Sequence, residues 1–329
     1  MNLSMKTPIT VGLVGTGFAA KLRADYLQQD DRARLVAVAG HRAEKTREFS
    51  QTYGAQAFDS WETLLDRPDL DLIIICTINR DHGAIARAAL EAGKQVIVEY
   101  PLALDPGEAR AIVQLARDRR QLLHVEHIEL LGGVHQAFKD ALEAVGRVFY
   151  ARYITFSPKR PAPQKWTYHR DWFGFPLVGA LSRVHRITDA LGRVATVSGQ
   201  SQFWDASEPG FYTACLCDAQ LRLADGAIAE IVYGKGDRFW KAERKLEVYG
   251  SSATLTIDGD TALLVRDDQT TELPVSSRRG LFARDTAAVL DTLTTGKPLY
   301  VTPEQSLYSL QVADAIRQSC DTGQTILVD

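Results

Sequence analysis

Little in this sequence points to a metal, a disulfide framework or a membrane. Its four cysteines, Cys76, Cys215, Cys217 and Cys320, include no Cys-x-x-Cys pair, which removes the commonest zinc and redox spacings. Cys215 and Cys217 are placed to share one face of a strand. Two sulfurs without further ligands make a poor metal site, so reduced and mostly buried thiols are expected. The His-Glu-x-x-His helix pattern is missing, and in His124-x-Glu126-His127 a continued strand would turn the two imidazoles to opposite sides, so no metal is expected. No apolar run approaches the ~20 residues of a membrane span. Residues 1–6 lack the apolar core of a signal peptide and read as a short disordered leader before the first strand. Charge of one sign is missing too: 38 basic against 41 acidic side chains give a net −3. Nothing global therefore favours nucleic acid or an anionic membrane, and a cytoplasmic protein is expected. Internal repeats and low-complexity tracts are absent.

What remains is an ordinary globular composition, 45% hydrophobic and 24% charged, over 329 residues. That length suits two domains better than one core. The expectation is α/β: a Rossmann-type, doubly wound parallel sheet over residues 1–125, then an α+β domain with a large, mostly antiparallel sheet over 126–329. The first strand runs into Gly15-Thr16-Gly17-Phe18-Ala19-Ala20, and a helix begins at once. Gly15 permits a tight turn, Gly17 lets a pyrophosphate approach the backbone, and small Ala20 lets the helix pack on the strand. The second strand, 35–39, ends in Gly40-His41-Arg42. An acid there would hold a free ribose 2′-hydroxyl, whereas Arg42, assisted by His41, suits a 2′-phosphate, so the cofactor is expected to be NADPH/NADP⁺. Segment 72–77 is a continuous, largely β-branched run of the kind buried on both faces of a parallel sheet. A helix over 82–92 ends at Gly93, a strand follows at 95–99, and Asp105-Pro106-Gly107-Glu108 carries the signals of a helix start. A last strand at 122–126 completes the first domain. Thr77, Ile78, Asn79 and His82, after the 72–77 strand, are placed near the cofactor.

From residue 148 the texture changes to strands at 148–153, 214–223, 228–233 and 246–257, with helices at 284–295 and 302–322 packing back near the junction. An aromatic and basic segment fills 158–193. There Trp166, Tyr168, Trp172, Phe173 and Phe175 lie close in sequence to Lys165, Arg170, Arg183 and Arg186. A flat conjugated ligand bearing carboxylates wants aromatic walls and guanidinium forks of this kind; the same residues would equally serve as domain core with a solvated rim.

The fold order, the nucleotide loop and Glu99-Tyr100-Pro101 resemble the glucose–fructose oxidoreductase and inositol dehydrogenase superfamily. Its usual signature at that place is Glu-Lys-Pro, and its lysine helps deprotonate a sugar hydroxyl; here Tyr100 stands instead. The superfamily's Asp-x-Gly-x-His-x-x-Asp corresponds to Ser182-Arg183-Val184-His185-Arg186-Ile187-Thr188-Asp189. Only Asp189 survives, and His185 is one position, roughly 100° of helix, from the base. Within that superfamily the chain is similar to the cyanobacterial type of biliverdin reductase. The similarity runs through residues 124–135, Phe149-Tyr150-Ala151-Arg152-Tyr153, Gln164-Lys165-Trp166-Thr167-Tyr168-His169, 173–178, Tyr233-Gly234-Lys235-Gly236, 277–282 and 294–300.

That resemblance implies hydride transfer from NADPH to the C10 methine of biliverdin, with a proton delivered to a pyrrole nitrogen, giving bilirubin. No hydroxyl loses a proton, so the absence of the sugar-oxidising residues is consistent with it. The protein must stack nicotinamide against the tetrapyrrole, neutralise two propionates and manage one proton. The expected catalytic residues are Arg183, Tyr100, Glu99 and His127. Cofactor contacts are expected from Gly15, Thr16, Gly17, Phe18, Ala19, His41, Arg42, Thr77, Ile78, Asn79, His82 and Glu99. Substrate contacts are expected from Tyr100, Glu126, Trp166, Arg183, Arg186 and Lys235. By resemblance Arg183 matches the arginine assigned to protonation, yet a guanidinium with a pKa above about 12 is a poor acid at neutral pH. It is able instead to hold a water or a propionic acid near the nitrogen, or to stabilise developing charge, so the origin of the proton stays open. The rival readings are a sugar or polyol dehydrogenase and a non-enzymatic NADPH- and bilin-binding sensor. A monomer is expected in preference to a homodimer.

Overall fold

The computed structural model describes residues 5–328, so most of the expected leader lies outside the described residues. The chain forms two compact units: residues up to Ile128 with Gly280–Leu307, and Glu129–Arg279 with the chain from Tyr308 onward.

In the first unit strands and helices alternate: β1 (Ile9–Val14), α1 (Phe18–Leu27), β2 (Ala33–Ala39), α2 (Ala43–Tyr53), β3 (Gln56–Phe58), α3 (Trp61–Leu65), β4 (Leu72–Ile75), α4 (His82–Glu91), β5 (Gln95–Val98), α5 (Pro106–Asp118) and β6 (Leu123–Val125). The six strands are all parallel, in the order β3-β2-β1-β4-β5-β6. This is the doubly wound order, and its switch point lies between β1 and β4. All four residues of β4 are buried, as a strand covered on both faces requires. The expected signals hold locally. Asp105 accepts from the Glu108 N–H at 2.7 Å with Pro106 in the first turn, and Gly93 takes φ +82° just after α4.

The second unit contains α6 (Gly133–Val145), β7 (Val148–Pro158), α7 (Arg170–Phe173), α8 (Pro176–Gly179), α9 (Ser182–Leu191), β8 (Val194–Asp205), β9 (Tyr212–Leu223), β10 (Ile228–Gly236), β11 (Glu243–Gly250), β12 (Thr254–Asp258), β13 (Thr261–Arg266) and β14 (Gln269–Leu273). Then come α10 (Leu281–Thr295), part of the first unit and packed on α1, α11 (Pro303–Thr322), and β15 (Ile326–Leu327). The nine strands run β14-β13-β12-β11-β7-β10-β9-β8-β15, antiparallel except where β10 lies parallel to β7. On β9, Cys217, Ala219, Leu221 and Leu223 are buried while Asp218, Gln220 and Arg222 are exposed, the alternation of a sheet with one covered face. All four cysteines are free thiols, and Cys76, Cys215 and Cys217 are buried. The expected strand at 246–257 is two strands, β11 and β12. They are joined by a turn in which the Gly250 N–H donates to the Ala253 carbonyl at 3.1 Å, and a Cβ on Gly250 would come within 2.3 Å of the Val145 carbonyl oxygen. Strand β8 was not expected, because Ser198-Gly199-Gln200-Ser201-Gln202 dilutes its apolar period.

Candidate active site

At the switch point the β1–α1 turn is shaped by its glycines. Gly15 has φ +119°, and a Cβ there would lie 2.3 Å from the Cys76 carbonyl oxygen, at the end of the neighbouring β4. Gly17 has nothing within 4 Å of its Cβ position and is the N-cap of α1, with no side chain capping the helix. Open space beside uncapped first-turn N–H groups fits the pyrophosphate expected there. Phe18 is 76% exposed at the mouth of this turn. Beside it, a Cβ on Gly40 would meet Thr46 Oγ1 at 2.6 Å and Thr16 Cγ2 at 2.9 Å. An acid at position 40 is thus sterically disfavoured, while His41 and Arg42 are exposed at the end of β2. Beyond β4, Thr77 and Ile78 are half-buried and Asn79 and His82 buried. His82 Nδ1 lies 2.8 Å from the Pro101 carbonyl and Nε2 3.3 Å from that of Thr77, tying the ends of β4 and β5 together. Burial lowers the pKa of this imidazole.

The end of β5 carries a buried ionic network. Arg23 of α1 donates to Glu99 Oε1 through Nε at 3.0 Å and Nη2 at 2.8 Å, and through Nη1 to Asp285 Oδ2 at 2.7 Å and Thr286 Oγ1 at 2.9 Å. Asp285 Oδ1 accepts from the Tyr300 hydroxyl at 2.6 Å and lies 2.7 Å from His124 Nε2. Burial pushes the Asp285 carboxyl up, but His124 and Arg23 outweigh it and hold it below the usual carboxylate range. Glu126 is shifted the other way: burial, then the Glu99 and Asp285 carboxylates, push it well above that range. The Tyr100 and His127 rings stack at 5.3 Å and 8°, and His127 Nε2 lies 2.8 Å from Ser306 Oγ. Glu99, Tyr100, Glu126 and His127 therefore gather where β5 and β6 end. Glu99 is committed to Arg23, which suits orientation rather than proton transfer.

In the second unit, a cavity of about 630 Å³ is lined by Tyr153, Ser182, Arg183, Arg244, Arg278 and Glu129, among others. That volume suits a drug-sized ligand. Arg183, in the first turn of α9, donates to Ser182 Oγ at 3.0 Å and lies 5.1 Å from the Tyr233 ring. Arg186, one turn on, is only 1% exposed and donates to Glu129 Oε2 at 3.0 Å. Arg244 donates to the same oxygen at 2.8 Å, and Arg278 to Glu129 Oε1. Burial raises the Glu129 carboxyl, and Arg186, Arg244, Arg278 and Arg183 more than reverse that. Asp189, the survivor of the superfamily motif, is occupied by His135 Nε2 at 2.8 Å and Lys139 Nζ at 2.9 Å. Burial lowers His185 to about 4, leaving it neutral near pH 7.

Lys235 and Trp166 form a separate cluster and do not line this cavity. The Lys235 ammonium bonds to the Thr167 carbonyl and sits 3.6 Å from the Phe173 ring centroid and 4.8 Å from that of Tyr168. Trp166 packs against Phe173 at 6.1 Å. Burial brings Lys235 down to about 7. Of the residues lining the cavity, Tyr153, Arg244 and Arg278 carry no signal of their own as site residues in the sequence. The period of two in Ala151 and Tyr153, both buried, was the available signal for the burial of Tyr153.

Two family models together match nearly the whole chain: the oxidoreductase family, NAD-binding Rossmann fold, over residues 9–127, and the oxidoreductase family, C-terminal alpha/beta domain, over residues 139–328. The chain belongs to this oxidoreductase family. The expected fold class, a Rossmann-type parallel sheet followed by a mostly antiparallel one, holds. Among solved structures it is similar to biliverdin reductase from Synechocystis in complex with biliverdin and NADP⁺. The TM-score is 0.94 at 51% identity, over 96% of this chain and 100% of that one. It is also 28% identical to mouse biliverdin reductase A, over 60% of this chain and 63% of the mouse protein's length. The human protein of the same name is 27% identical, over 66% of this chain and 69% of its own. Among the described residues no helix is long and apolar enough to cross a membrane, and no group of three or more His, Cys, Asp or Glu is placed to hold a metal ion.

Proposed function

We propose that this protein reduces biliverdin to bilirubin with NADPH, as its 51% identity over nearly the whole chain to a reductase holding biliverdin and NADP⁺ favours. NADPH supplies the hydride that C10 of the bilin receives. In the first unit Gly15, Thr16, Gly17, Phe18 and Ala19 cradle the pyrophosphate through backbone N–H groups. His41 and Arg42 take the 2′-phosphate, and Thr77, Ile78, Asn79 and His82 border the nicotinamide half. Glu99 fixes Arg23, while the stacked Tyr100 and His127 rings and Glu126 offer polar contacts to the bilin. In the second unit the arginine-lined cavity gives the propionates cationic partners in a partly desolvated setting, where guanidinium–carboxylate pairs are strong. Arg183 stabilises charge near the nitrogen to be protonated, and Arg186 holds Glu129 at the cavity wall, while Lys235 and Trp166 stay in their separate cluster. The protein works as a monomer in the cytoplasm.

Mixing the protein with NADPH and biliverdin and following the visible spectrum tests this. Loss of the biliverdin band with bilirubin appearing is expected. Biliverdin bound tightly but not consumed would favour a sensor, and no bilin binding would return the sugar dehydrogenase reading. The latter is disfavoured by Tyr100, Ser182 and Arg186 at the three positions where superfamily chemistry needs lysine, acid and base.

A further inference from the structure

Resting on that reaction, we propose that Tyr153 donates the proton taken up by the bilin nitrogen, and that the guanidiniums of Arg183, Arg186 and Arg244 hold the tyrosinate left behind. Tyr153 lies in the middle of β7, between β10 and β11, paired with Ile231 and Leu246. It is 4% exposed and lines the cavity beside Arg183. The charges around it come from every element packed there. Arg183 and Arg186 belong to α9, Arg244 to β11, Glu129 to the 3₁₀ turn before α6, and Arg278 to the loop before α10. Of the other charged groups lining the cavity, Lys245 is paired with Glu247 at 2.8 Å, and Lys241, Glu243 and Asp258 complete the set.

The cluster is unbalanced. Arg186, Arg244 and Arg278 share one carboxylate, Glu129, and Arg183 adds a fourth guanidinium to the same wall. Arg186 lies 5.4 Å from the Tyr153 ring, and its Nε and Nη1 have no hydrogen-bond partner. A buried excess of positive charge next to a phenol favours the phenolate. Burial by itself raises the Tyr153 pKa, yet Arg186, Arg183 and Arg244 together bring it down to about 8, within reach of neutral pH. A guanidinium is too weak an acid to give up the proton, and a phenol so placed is not.

The step balances. The bilin accepts the hydride at C10, the Tyr153 O–H bond breaks as the pyrrole N–H bond forms, and NADPH is oxidised to NADP⁺ as the bilin is reduced. Water entering the cavity then reprotonates the tyrosinate. Lys235, which also titrates near neutrality, is enclosed by aromatic rings and does not line the cavity, so its titration persists when Tyr153 is changed.

The test compares Tyr153→Phe, which keeps the ring and its packing, with the unaltered protein. Turnover of the unaltered protein should fall as pH rises through about 8, because the donor is lost. The variant should lose that limb and turn over about 100-fold more slowly, with biliverdin affinity by absorbance titration retained. An ultraviolet titration without ligands should find one tyrosinate forming near pH 8 that is missing from the variant. Equal turnover, or no tyrosinate near pH 8 that the variant lacks, overturns the assignment alone. Failure of the unaltered protein to reduce biliverdin overturns the assignment together with the reaction it rests on.

Discussion

Arg183 owes its place to α9, which starts at Ser182 and aims its first turn at the cavity. Arg183→Ala should cut biliverdin turnover about 100-fold or more, since it removes charge stabilisation where charge develops. NADPH binding, followed by cofactor fluorescence, should change little; undiminished turnover would remove Arg183 from the chemistry. Tyr100 replaces the lysine of the superfamily signature that this segment resembles, and its ring is stacked flat on His127. Tyr100→Phe keeps that stack and removes one hydroxyl. If the hydroxyl contacts the bilin, KM for biliverdin should rise roughly 3- to 10-fold, the worth of one net hydrogen bond. An unaltered KM and pH–rate profile would leave Tyr100 a packing role. These residues were legible in the sequence because each departs from a motif at a countable position. Tyr153 departs from none, so only its surroundings single it out.

Among the elements, α1, β5 and α10 are joined by Arg23, whose guanidinium is fully buried between Glu99 and Asp285. Burial disfavours its charge, and those two carboxylates more than compensate. Arg23→Met would leave Asp285 with His124 and Tyr300 but without its guanidinium, close to Glu99 and Glu126. Removing one partner of a buried pair typically costs about 3–5 kcal/mol, so urea unfolding should show a loss of that order; a variant as stable as the parent would show the network to be dispensable. The elements themselves were largely readable. β4 declares itself by an unbroken apolar run, and α5 by Asp105, Pro106 and Glu108. Segment 246–257 did not declare its turn, because Ser251-Ser252 is a weak breaker and Gly250 is required by contact with Val145 rather than by a turn dipeptide.

Over the whole molecule, buried imidazoles set the response to acid. Burial lowers His82, His135 and His185, the last to about 4. As pH falls below about 6.5 the unfolded chain takes up these three protons first; Glu126, raised by burial, works in the opposite direction with one proton, so the three imidazoles outnumber it and stability declines. The decline should run from about pH 6.5 towards 4, with His185 contributing up to about 3 kcal/mol. Urea midpoints measured across that window should fall steadily, and a flat series would contradict the burial of these rings. The sequence by itself determined most elements of the first unit, its doubly wound parallel class and the nucleotide turn, because apolar period and glycine placement act over a few residues. Only the tertiary structure decided which charges meet. Arg278 reaches Glu129 across 149 residues and Arg23 reaches Asp285 across 262. Such pairs depend on strand register and helix packing, which no local pattern records. The acidity of Tyr153 is a product of that convergence: a tyrosine becomes a proton donor near neutral pH once several guanidiniums share its low-dielectric surroundings.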